Sequence, residues 1–354
     1  MKKSERTRKL LTEHSQKYPC LQVRDVFKFL YQSAFGCEHM VSAGDGVREY
    51  IETEFAGIST QNEALIEELD GNYCRVHLSY LNTGLSAETL AKLFVFSAKK
   101  EDGLSALKEK LAIAREMIAD GLLPFSAEEF DSAVKEWESG GYSTVRHSDA
   151  FREKYKPAYR VISKDFVPFF PLFAKLDTML EKGEVHLAIE GGSASGKTTL
   201  SGLLENIYGC TVFHMDDFFL RPEQRTYQRF AEIGGNVDRE RFLSEVLLPL
   251  HRGETVKYRK FDCSIMNLGN EQEAVPTRLT VTEGAYSMHP ELAGYYDLSV
   301  FLSISPEKQS ERIEKRNGPK MAHRFFNEWI PLEMKYFEGT DIKSRCDMCI
   351  DIND

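Results

Sequence analysis

A glycine-rich turn between an apolar run and a helix-like segment constrains this chain more than any other feature. The stretch reads Val185-His-Leu-Ala-Ile-Glu-Gly-Gly-Ser-Ala-Ser-Gly-Lys-Thr-Thr199. It contains the G-x-x-x-x-G-K-[ST] pattern in the context that pattern requires, after a strand and before a helix. Glycines let successive backbone N–H groups turn inward around a phosphate, and the following helix adds the positive end of its dipole. The sequence therefore predicts a unit that binds a nucleoside triphosphate, and a chance glycine-rich turn is the weaker alternative.

The predicted phosphate loop covers nine consecutive residues. These are Gly191, Gly192, Ser193, Ala194, Ser195, Gly196, Lys197, Thr198 and Thr199. The ammonium of Lys197 can reach the β- and γ-phosphates, and the hydroxyl of Thr198 can bind Mg²⁺. The motif thus predicts both the nucleotide and the metal ion that accompanies it.

Composition narrows the classes of protein that fit. The chain has 354 residues, enough for two domains, with 42% hydrophobic and 28% charged residues. A net charge of −10 without a long basic run argues against a protein that coats nucleic acid. No apolar run reaches membrane-spanning length, and the N-terminus lacks the apolar core of a secretion signal. We therefore expect a cytoplasmic protein without a nucleic-acid or membrane partner.

Cysteine usage agrees with that expectation. The seven cysteines are odd in number and scattered, which is typical of reduced thiols. Cys346-Asp-Met-Cys349 has C-x-x-C spacing but no second Cys or His pair nearby. We interpret it as part of a terminal strand, with zinc or redox chemistry as the alternative.

The pattern of apolar residues changes near residue 180. Amphipathic helices are predicted over residues 5–18, 23–34, 87–99, 104–119 and 127–138, with one strand over 74–80. Strands alternating with helices are predicted afterwards, over residues 185–190, 211–215, 279–282, 298–304 and 348–350. The predicted fold class is α/β: a mainly α-helical (α+β) domain at 1–180 precedes a parallel sheet flanked by helices at 181–354.

The second half also resembles a known family. The loop is followed by Val212-Phe-His-Met-Asp-Asp-Phe-Phe219, then Thr282-Glu-Gly-Ala-Tyr286, then Arg312-Ile-Glu-Lys-Arg-Asn-Gly318 and Glu328-Trp-Ile-Pro-Leu-Glu-Met-Lys-Tyr-Phe337. In order and spacing this resembles the uridine kinase family of P-loop kinases, which includes nicotinamide riboside kinase and phosphoribulokinase. The similarity covers roughly residues 184–354, about half the chain. It implies a kinase domain that uses ATP and Mg²⁺.

The resemblance assigns roles to three acidic residues. Asp216 and Asp217 follow a short strand, at the edge where open α/β sheets bind ligands. The family pattern makes Asp216 the base that accepts the proton of the substrate hydroxyl, while Asp217 either contacts substrate or caps the next loop. Glu283 ends another strand and, with Thr198 and Asp216, is expected to hold Mg²⁺ directly or through water. A solvated strand-end acid is the alternative for Glu283.

Arg312 and Arg316 lie four residues apart and so share one face of a helix. The region resembles the lid that closes over the phosphates in this family. Guanidinium groups there would stabilise charge on the transferred phosphoryl group. Surface ion pairs with Glu311 and Glu314 are the alternative.

Candidate substrate contacts follow a looser match. Asp238 lies where the family places an element near the acceptor, and it either binds a ribose-like hydroxyl or caps the helix that begins at Arg239. Tyr258 and Arg259 belong to a segment resembling a Pro-x-Tyr-Asp region, but the proline is missing. Recognition of a nucleobase therefore does not transfer to this chain.

The first half matches no family, but polar residues gather at its glycine-rich breaks. The three clusters are Phe35-Gly-Cys-Glu-His39, Arg75-Val-His77, and Arg146-His-Ser-Asp149 with Tyr155-Lys-Pro-Ala-Tyr-Arg160. They either form a ligand or phosphate site or consist of helix caps and buried histidines. Glu38, His39 and His77 are weak metal candidates because no ligand spacing such as His-x-x-x-His occurs.

Two classes of function fit these observations. The first is a kinase for a hydroxyl of a small metabolite, such as a nucleoside, ribosyl compound or sugar acid. The second is a nucleotide-dependent regulator in which a kinase-like domain controls the N-terminal domain. A third possibility makes the N-terminal half a second enzyme. The acceptor, the preferred nucleotide base and the oligomeric state stay open.

Overall fold

The computed structural model describes residues 3–37, 46–58, 65–99 and 102–353. The chain divides into two compact units, Met1–Ala174 and Lys175–Asp354. This division falls inside a helix, Phe170–Leu180, whereas the sequence suggested a boundary just after that helix. None of the helices in the described part of the chain combines the length and apolar character needed to cross a bilayer.

The first unit combines helices with a small sheet. Its helices are α1 (Lys3–Lys17), α2 (Val23–Phe35), α3 (Val47–Ala56), α4 (Ala87–Ser97), α5 (Leu104–Ala119), α6 (Ala127–Ser139), α7 (Asp149–Tyr155) and α8 (Phe170–Leu180), the last of which continues into the second unit. Its strands are β1 (Ile66–Glu68), β2 (Tyr73–His77) and β3 (Tyr159–Ser163), which pair antiparallel in the order β1-β2-β3. Ser86 and Ser126 cap α4 and α6 through the N–H groups of Thr89 and Glu129, so both predicted helix starts are confirmed.

The predicted strand over residues 74–80 is wrong at its C-terminal end. The strand β2 stops at His77, and residues Leu78–Thr83 form a 3-10 helix. Its partner β3 starts at Tyr159, and the backbone bond from Leu78 N to the oxygen of Ala158 lies just beyond the paired residues. The strands β1 and β3 and the helices α3 and α7 were not expected, because each is too short for its periodicity to stand out.

The second unit contains a five-stranded parallel sheet flanked by helices and a separate two-stranded hairpin. Its strands are β4 (Val185–Gly191), β5 (Thr211–His214), β6 (Val256–Asp262), β7 (Asn267–Ala274), β8 (Leu279–Glu283), β9 (Leu298–Ser303) and β10 (Met348–Asp351). Its helices are α9 (Lys197–Tyr208), α10 (Tyr227–Ala231), α11 (Arg239–Phe242), α12 (Leu248–His251), α13 (Pro306–Arg324), α14 (Ile330–Thr340) and α15 (Ile342–Arg345). The parallel sheet has the order β10-β9-β4-β8-β5, and all five strands were predicted.

The hairpin β6-β7 was not expected. Most side chains of β7 are exposed, and its sequence Asn-Leu-Gly-Asn-Glu-Gln-Glu-Ala lacks an apolar alternation. The other strand of the hairpin anchors it, because Tyr258 is buried and packs against Phe213 and Phe218. Burial of one such aromatic side chain contributes about 1.5–3 kcal/mol.

Parallel pairing brings the carboxyl ends of the central strands to one edge of the sheet. The strand β4 leads into the glycine-rich turn, β5 leads into Asp216, and β8 ends at Glu283. The register places Glu283 opposite Ile189 on one side and His214 on the other. The edge is where open α/β sheets bind ligands, so the candidate site lies there.

Candidate phosphate-binding site

The turn between β4 and α9 has the backbone shape of a phosphate loop. Gly191 and Gly196 have φ angles of 147° and 95°, and Ala194 has a φ of 58°. A Cβ at Gly191 would lie 2.7 Å from the backbone oxygen of Leu302 and 2.9 Å from Oγ of Ser195. Only glycine fits at Gly191, because both the φ angle and the close approach of β9 exclude a side chain.

The polar groups of the loop suit a phosphate. Lys197 Nζ donates to the backbone oxygens of Gly191 and Gly192, at 2.9 Å each, so its charge lies over the loop. The Oγ of Ser195 is buried and has no hydrogen-bond partner among the described residues. An orphaned hydroxyl beside a cation at the start of a helix fits an anionic ligand.

Thr198 and Glu283 are the candidate metal ligands at this edge of the sheet. Thr198 Oγ1 donates to Glu283 Oε1 at 3.0 Å, and Nδ1 of His214 contacts the same oxygen at 2.6 Å. Neighbouring ligands of an octahedral Mg²⁺ are about 3 Å apart when each bond is about 2.1 Å, so this pair fits the ion. In the described ranges no group of three His, Cys, Asp or Glu could hold a metal by itself. An ion here would need phosphate or water oxygens as well.

The Glu283 carboxylate is set up to stay ionised. Burial acts to raise its pKa, but the hydrogen bond from His214 and the charge of Lys197 outweigh burial, and the pKa lies below its usual range. The same hydrogen bond raises the pKa of His214. The pair therefore favours an imidazolium beside a carboxylate, and this orients Glu283 towards Thr198.

Asp216 lies on a 3-10 turn, Met215–Phe218, directly after β5. Its side chain is exposed, and none of the described residues donates a hydrogen bond to it. Protein atoms around the carboxylate nevertheless exclude part of its water, and this desolvation raises its pKa. The charge of Lys197 lowers the pKa, whereas the carboxylates of Glu283 and Asp217 raise it further. Asp216 is thus a reachable carboxylate with increased basicity, close to the loop cation.

The neighbouring acid has a different environment. Asp217 forms an ion pair with Lys260 on the hairpin, with 2.9 Å between Nζ and Oδ2. Of the two predicted substrate contacts on β6, Tyr258 is buried in the core, while Arg259 is exposed. The hairpin therefore places Lys260 at Asp217, while Tyr258 packs in the core and the Arg259 side chain has no contact with the site among the described residues.

Asp238 caps a helix. It is 2% exposed, and its Oδ1 accepts the backbone N–H of Arg241 at 3.2 Å. Its Oδ2 accepts from Nε2 of Gln224 at 2.9 Å. These bonds occupy both oxygens, so the geometry favours the capping role over contact with a ribose-like hydroxyl.

Of the two arginines, only Arg312 contacts the loop. Its Nη1 donates to the backbone oxygen of Ala194 at 3.2 Å. Arg316 is exposed, and its Nε donates to Asn317 at 2.9 Å. Neither residue forms an ion pair with Glu311 or Glu314 in the described chain, which removes support for the surface-pair alternative. Both lie on α13, before a break where Gly318 has non-helical angles.

Several residues at the site were missed by sequence reasoning. Glu333 on α14 accepts from the backbone N–H of Ser193 at 2.9 Å and from its hydroxyl at 2.6 Å. Gln309 donates to the backbone oxygen of Ser193 at 2.8 Å. Glu190 is fully buried and accepts N–H groups of Gly191 and two further residues, and burial raises its pKa to about 7. Glu190 could have been identified from the sequence, because it is an acidic residue within an apolar strand. No feature of the sequence marks Glu333 or Gln309 as part of the site.

The clusters of the first half are only partly described. Glu38 and His39 lie outside the described residues. Arg75, His77 and Tyr159 belong to one polar group in the first unit, and His147 contacts the hydroxyl of Tyr159 through Nε2 at 2.7 Å.

Comparison with known proteins gives limited support. No protein-family model matches the chain, and no curated protein matches it. Among solved structures, a possible uridine kinase from Bacillus stearothermophilus is similar at 21% identity and a TM-score of 0.39, covering 51% of this chain and 99% of that one. A Thermus thermophilus protein is similar at 15% identity and a TM-score of 0.28, covering 49% of this chain and 90% of that one.

Proposed function

We propose that the second unit is an ATP- and Mg²⁺-dependent kinase that phosphorylates a hydroxyl of a small metabolite. One observation carries the proposal: Asp216 presents an exposed carboxylate at the same sheet edge as the phosphate loop and the Thr198–Glu283 pair. A protein that only binds a nucleotide needs the phosphate loop and the metal ligands. It does not need an accessible carboxylate beside them that can accept a proton from a second substrate.

The residues divide the chemistry between them. Bound Mg·ATP supplies the transferable phosphoryl group and the ion that neutralises charge on its oxygens. Asp216 takes the proton of the acceptor hydroxyl as the oxygen forms its bond to phosphorus and the bond to the ADP oxygen breaks. The raised pKa of Asp216 improves its ability to accept that proton. Lys197 and Arg312 stabilise the negative charge near the loop.

The acceptor class comes from the family resemblance: a nucleoside, a ribosyl compound or a sugar acid. The second candidate function is a nucleotide-dependent regulator of the first unit. It is favoured by the positions of Tyr258 and Asp238, because one is buried in the core and the other caps a helix. The site then lacks two of the residues that were expected to recognise an acceptor.

The test is an ADP-release assay on the full chain with Mg·ATP and a panel of nucleosides, ribosyl compounds and sugar acids. A kinase gives acceptor-stimulated ADP release and a product heavier by one phosphoryl group. Asp216→Asn should lower that rate by roughly 10²–10⁴-fold while ATP affinity changes little. Asp351→Asn is the matched control, because Asp351 is an exposed acid at the same end of the edge strand β10.

ATP binding without stimulation by any acceptor would favour the regulator. Unchanged turnover in Asp216→Asn would remove the assigned base, even if the protein is a kinase. The two results separate the class of function from the role of this residue.

A further inference from the structure

The first unit contains a polar group that the proposed kinase chemistry does not use. The register of its sheet pairs Glu67 with Arg75 and His77 with Tyr159. Side chains of directly opposed residues, and of residues two apart on one strand, point to the same face, so these four side chains share one side of the sheet. That side also receives His14 from α1 and Gln32 from α2, which contact Glu67 and Arg75.

Arg75 is held rigidly at the centre of this group. It is 2% exposed, and its guanidinium lies 5.4 Å from the ring centre of Phe29 and 4.7 Å from that of Tyr159. Its Nε donates to Gln32 Oε1 at 2.9 Å, and Nη1 lies 3.5 Å from Glu67 Oε1. The remaining nitrogen, Nη2, is buried and has no partner among the described residues.

Two further buried nitrogens of the group also lack partners in the described chain. They are Nε2 of Gln32, which is a donor, and Nε2 of His14, which carries no proton because Nδ1 of the neutral ring donates to Glu67; the two residues are 1% and 3% exposed. Folded proteins rarely leave buried donors unpaired, because desolvation is then not compensated. Gln32 is bonded to Arg75 through its other amide atom, so the two unused donors belong to adjacent groups. Arg75 and Gln32 therefore each keep one buried donor without an acceptor in the described chain.

The local charge favours an anion as that acceptor. Lys17, Lys28 and Arg75 act on the group, and Glu67 and Asp25 are the acids that face it. Three cations against two carboxylates leave a local positive excess of one in a chain whose net charge is −10. His14 does not add to that charge, because burial lowers its pKa. Tyr18, His77 and Tyr159, which belong to or border the group, are partly exposed.

We propose that this group, here called the Arg75 site (Gln32, Glu67, Arg75 and Tyr159), binds the anionic group of a small metabolite, a carboxylate or a phosphate. Nη2 of Arg75 and Nε2 of Gln32 donate to the anion, and Glu67 and the two aromatic rings fix the guanidinium. The proposal does not depend on kinase activity in the second unit. It gives the first unit a ligand of its own.

The experiment is calorimetric titration of the full chain with inorganic phosphate, acetate and succinate. The titrations use Lys197→Met protein, so that phosphate binding at the loop of the second unit is weakened. Saturable binding is expected for at least one probe. Arg75→Lys and Gln32→Met should each weaken it by roughly 10–100-fold, the effect of losing a hydrogen bond to a charged group. Circular dichroism checks that each variant is folded, and the milder Gln32→Met serves if Arg75→Lys does not fold.

Arg160→Lys is the matched control. Arg160 is also a buried arginine of this sheet, but its register partner is Val76, so it lies on the opposite face. Its substitution should leave the affinity unchanged. Phosphate-only or carboxylate-only binding supports the site and names the chemistry. Absence of binding for all three probes overturns the proposal and indicates that ordered water satisfies the donors. Binding that survives both Arg75→Lys and Gln32→Met, or that Arg160→Lys weakens equally, also overturns it.

Discussion

The two units build their polar centres in opposite ways. In the second unit, the loop from Gly191 to Thr199 is one uninterrupted string, and parallel pairing supplies Asp216 and Glu283 at the same edge. In the first unit, the partners of Arg75 come from α2, β1 and β3, and no two of them are adjacent in sequence. The polar centre of the second unit therefore follows from a sequence motif. The polar centre of the first unit forms only when that unit folds.

The difference also extends to burial. Asp216 and Thr198 are exposed, whereas Arg75 and Asp25 are almost completely buried. An open polar group can change without great cost to folding, but a buried one stabilises the fold through its partners. Substitutions should therefore affect mainly activity in the second unit and mainly stability in the first. The chain has two tryptophans, Trp137 in the first unit and Trp329 in the second, which allow each unit to be followed separately.

The largest expected effect is on activity. Lys197→Met should lower phosphoryl transfer by roughly 10²–10³-fold, because the loop loses the cation that stabilises the transferred charge. The unfolding of the first unit, followed by Trp137 fluorescence in a Trp329→Phe protein, should stay unchanged. Lys182→Met, in the exposed turn before β4, is the control and should affect neither quantity. Equal turnover in the two variants would contradict the assignment.

The next effect is on stability. Asp25 is buried and accepts hydrogen bonds from His147 Nδ1 at 3.0 Å, from Ser148 N at 2.9 Å and from Ser148 Oγ at 2.6 Å. Asp25→Ala leaves these donors buried and unpaired, so we expect a loss of about 2–5 kcal/mol in the free energy of unfolding. Urea unfolding followed by Trp137 fluorescence measures it. Asp149→Ala, at a fully exposed neighbouring acid, should cost much less. A loss below 1 kcal/mol for Asp25→Ala would show that the network is not structural.

The two units should also differ in the sign of their pH dependence. Burial lowers the pKa of His147 from 6.5 to about 4, so the unfolded state binds more protons between these values. The first unit therefore loses stability as pH falls through this window, by roughly 3 kcal/mol in all.

Glu190 acts in the opposite direction. Burial raises its pKa from 4.5 to about 7, so the folded state keeps a proton that the unfolded state releases. Protonated Glu190 therefore stabilises the second unit below pH 4.5. This stabilisation is lost as pH rises to about 7, which lowers the free energy of unfolding by roughly 3 kcal/mol. Unfolding followed by Trp137 and by Trp329 between pH 4.5 and 7 tests both signs. His147→Gln and Glu190→Gln should each flatten only their own unit's slope, and parallel slopes in the two units would contradict this assignment.

The smallest effects should be equal in the two units. Ser126 caps α6 through Glu129 N at 3.1 Å, and Ser305 caps α13 through Lys308 N at 3.3 Å. Replacement of either serine by alanine should cost about 1 kcal/mol, because each leaves one helix N–H without its acceptor. Urea unfolding with the tryptophan of the same unit measures both. A difference of more than about 1 kcal/mol between them would mean that a cap is not a purely local feature.

The sequence was most informative where the structure depends on neighbours along the chain. The phosphate loop, the five parallel strands and the helices that follow Ser86 and Ser126 were all predicted, since a motif and an apolar pattern are local signals. The strand-end positions of Asp216 and Glu283 followed from the same reasoning.

Pairing partners and distant contacts could not be predicted in this way. The end of β2 depends on where β3 begins, more than eighty residues later, and the exposed strand β7 has no apolar pattern to mark it. The ion pair between Asp217 and Lys260 and the contacts of the Arg75 site depend on tertiary packing. A single sequence carries little information on such contacts, because any polar residue at those positions has an equally plausible place on the surface.

The bond between Glu333 and Ser193 limits how far the second unit could be shortened. A fragment that ends before α14 would still contain every residue of the glycine-rich motif and all of β4 and α9. It would lack the carboxylate that holds both the N–H and the hydroxyl of Ser193, and Tyr336, which donates to the buried Glu190. The smallest piece of this chain that keeps a properly shaped loop must therefore reach almost to the C-terminus, well beyond the residues by which that loop is recognised.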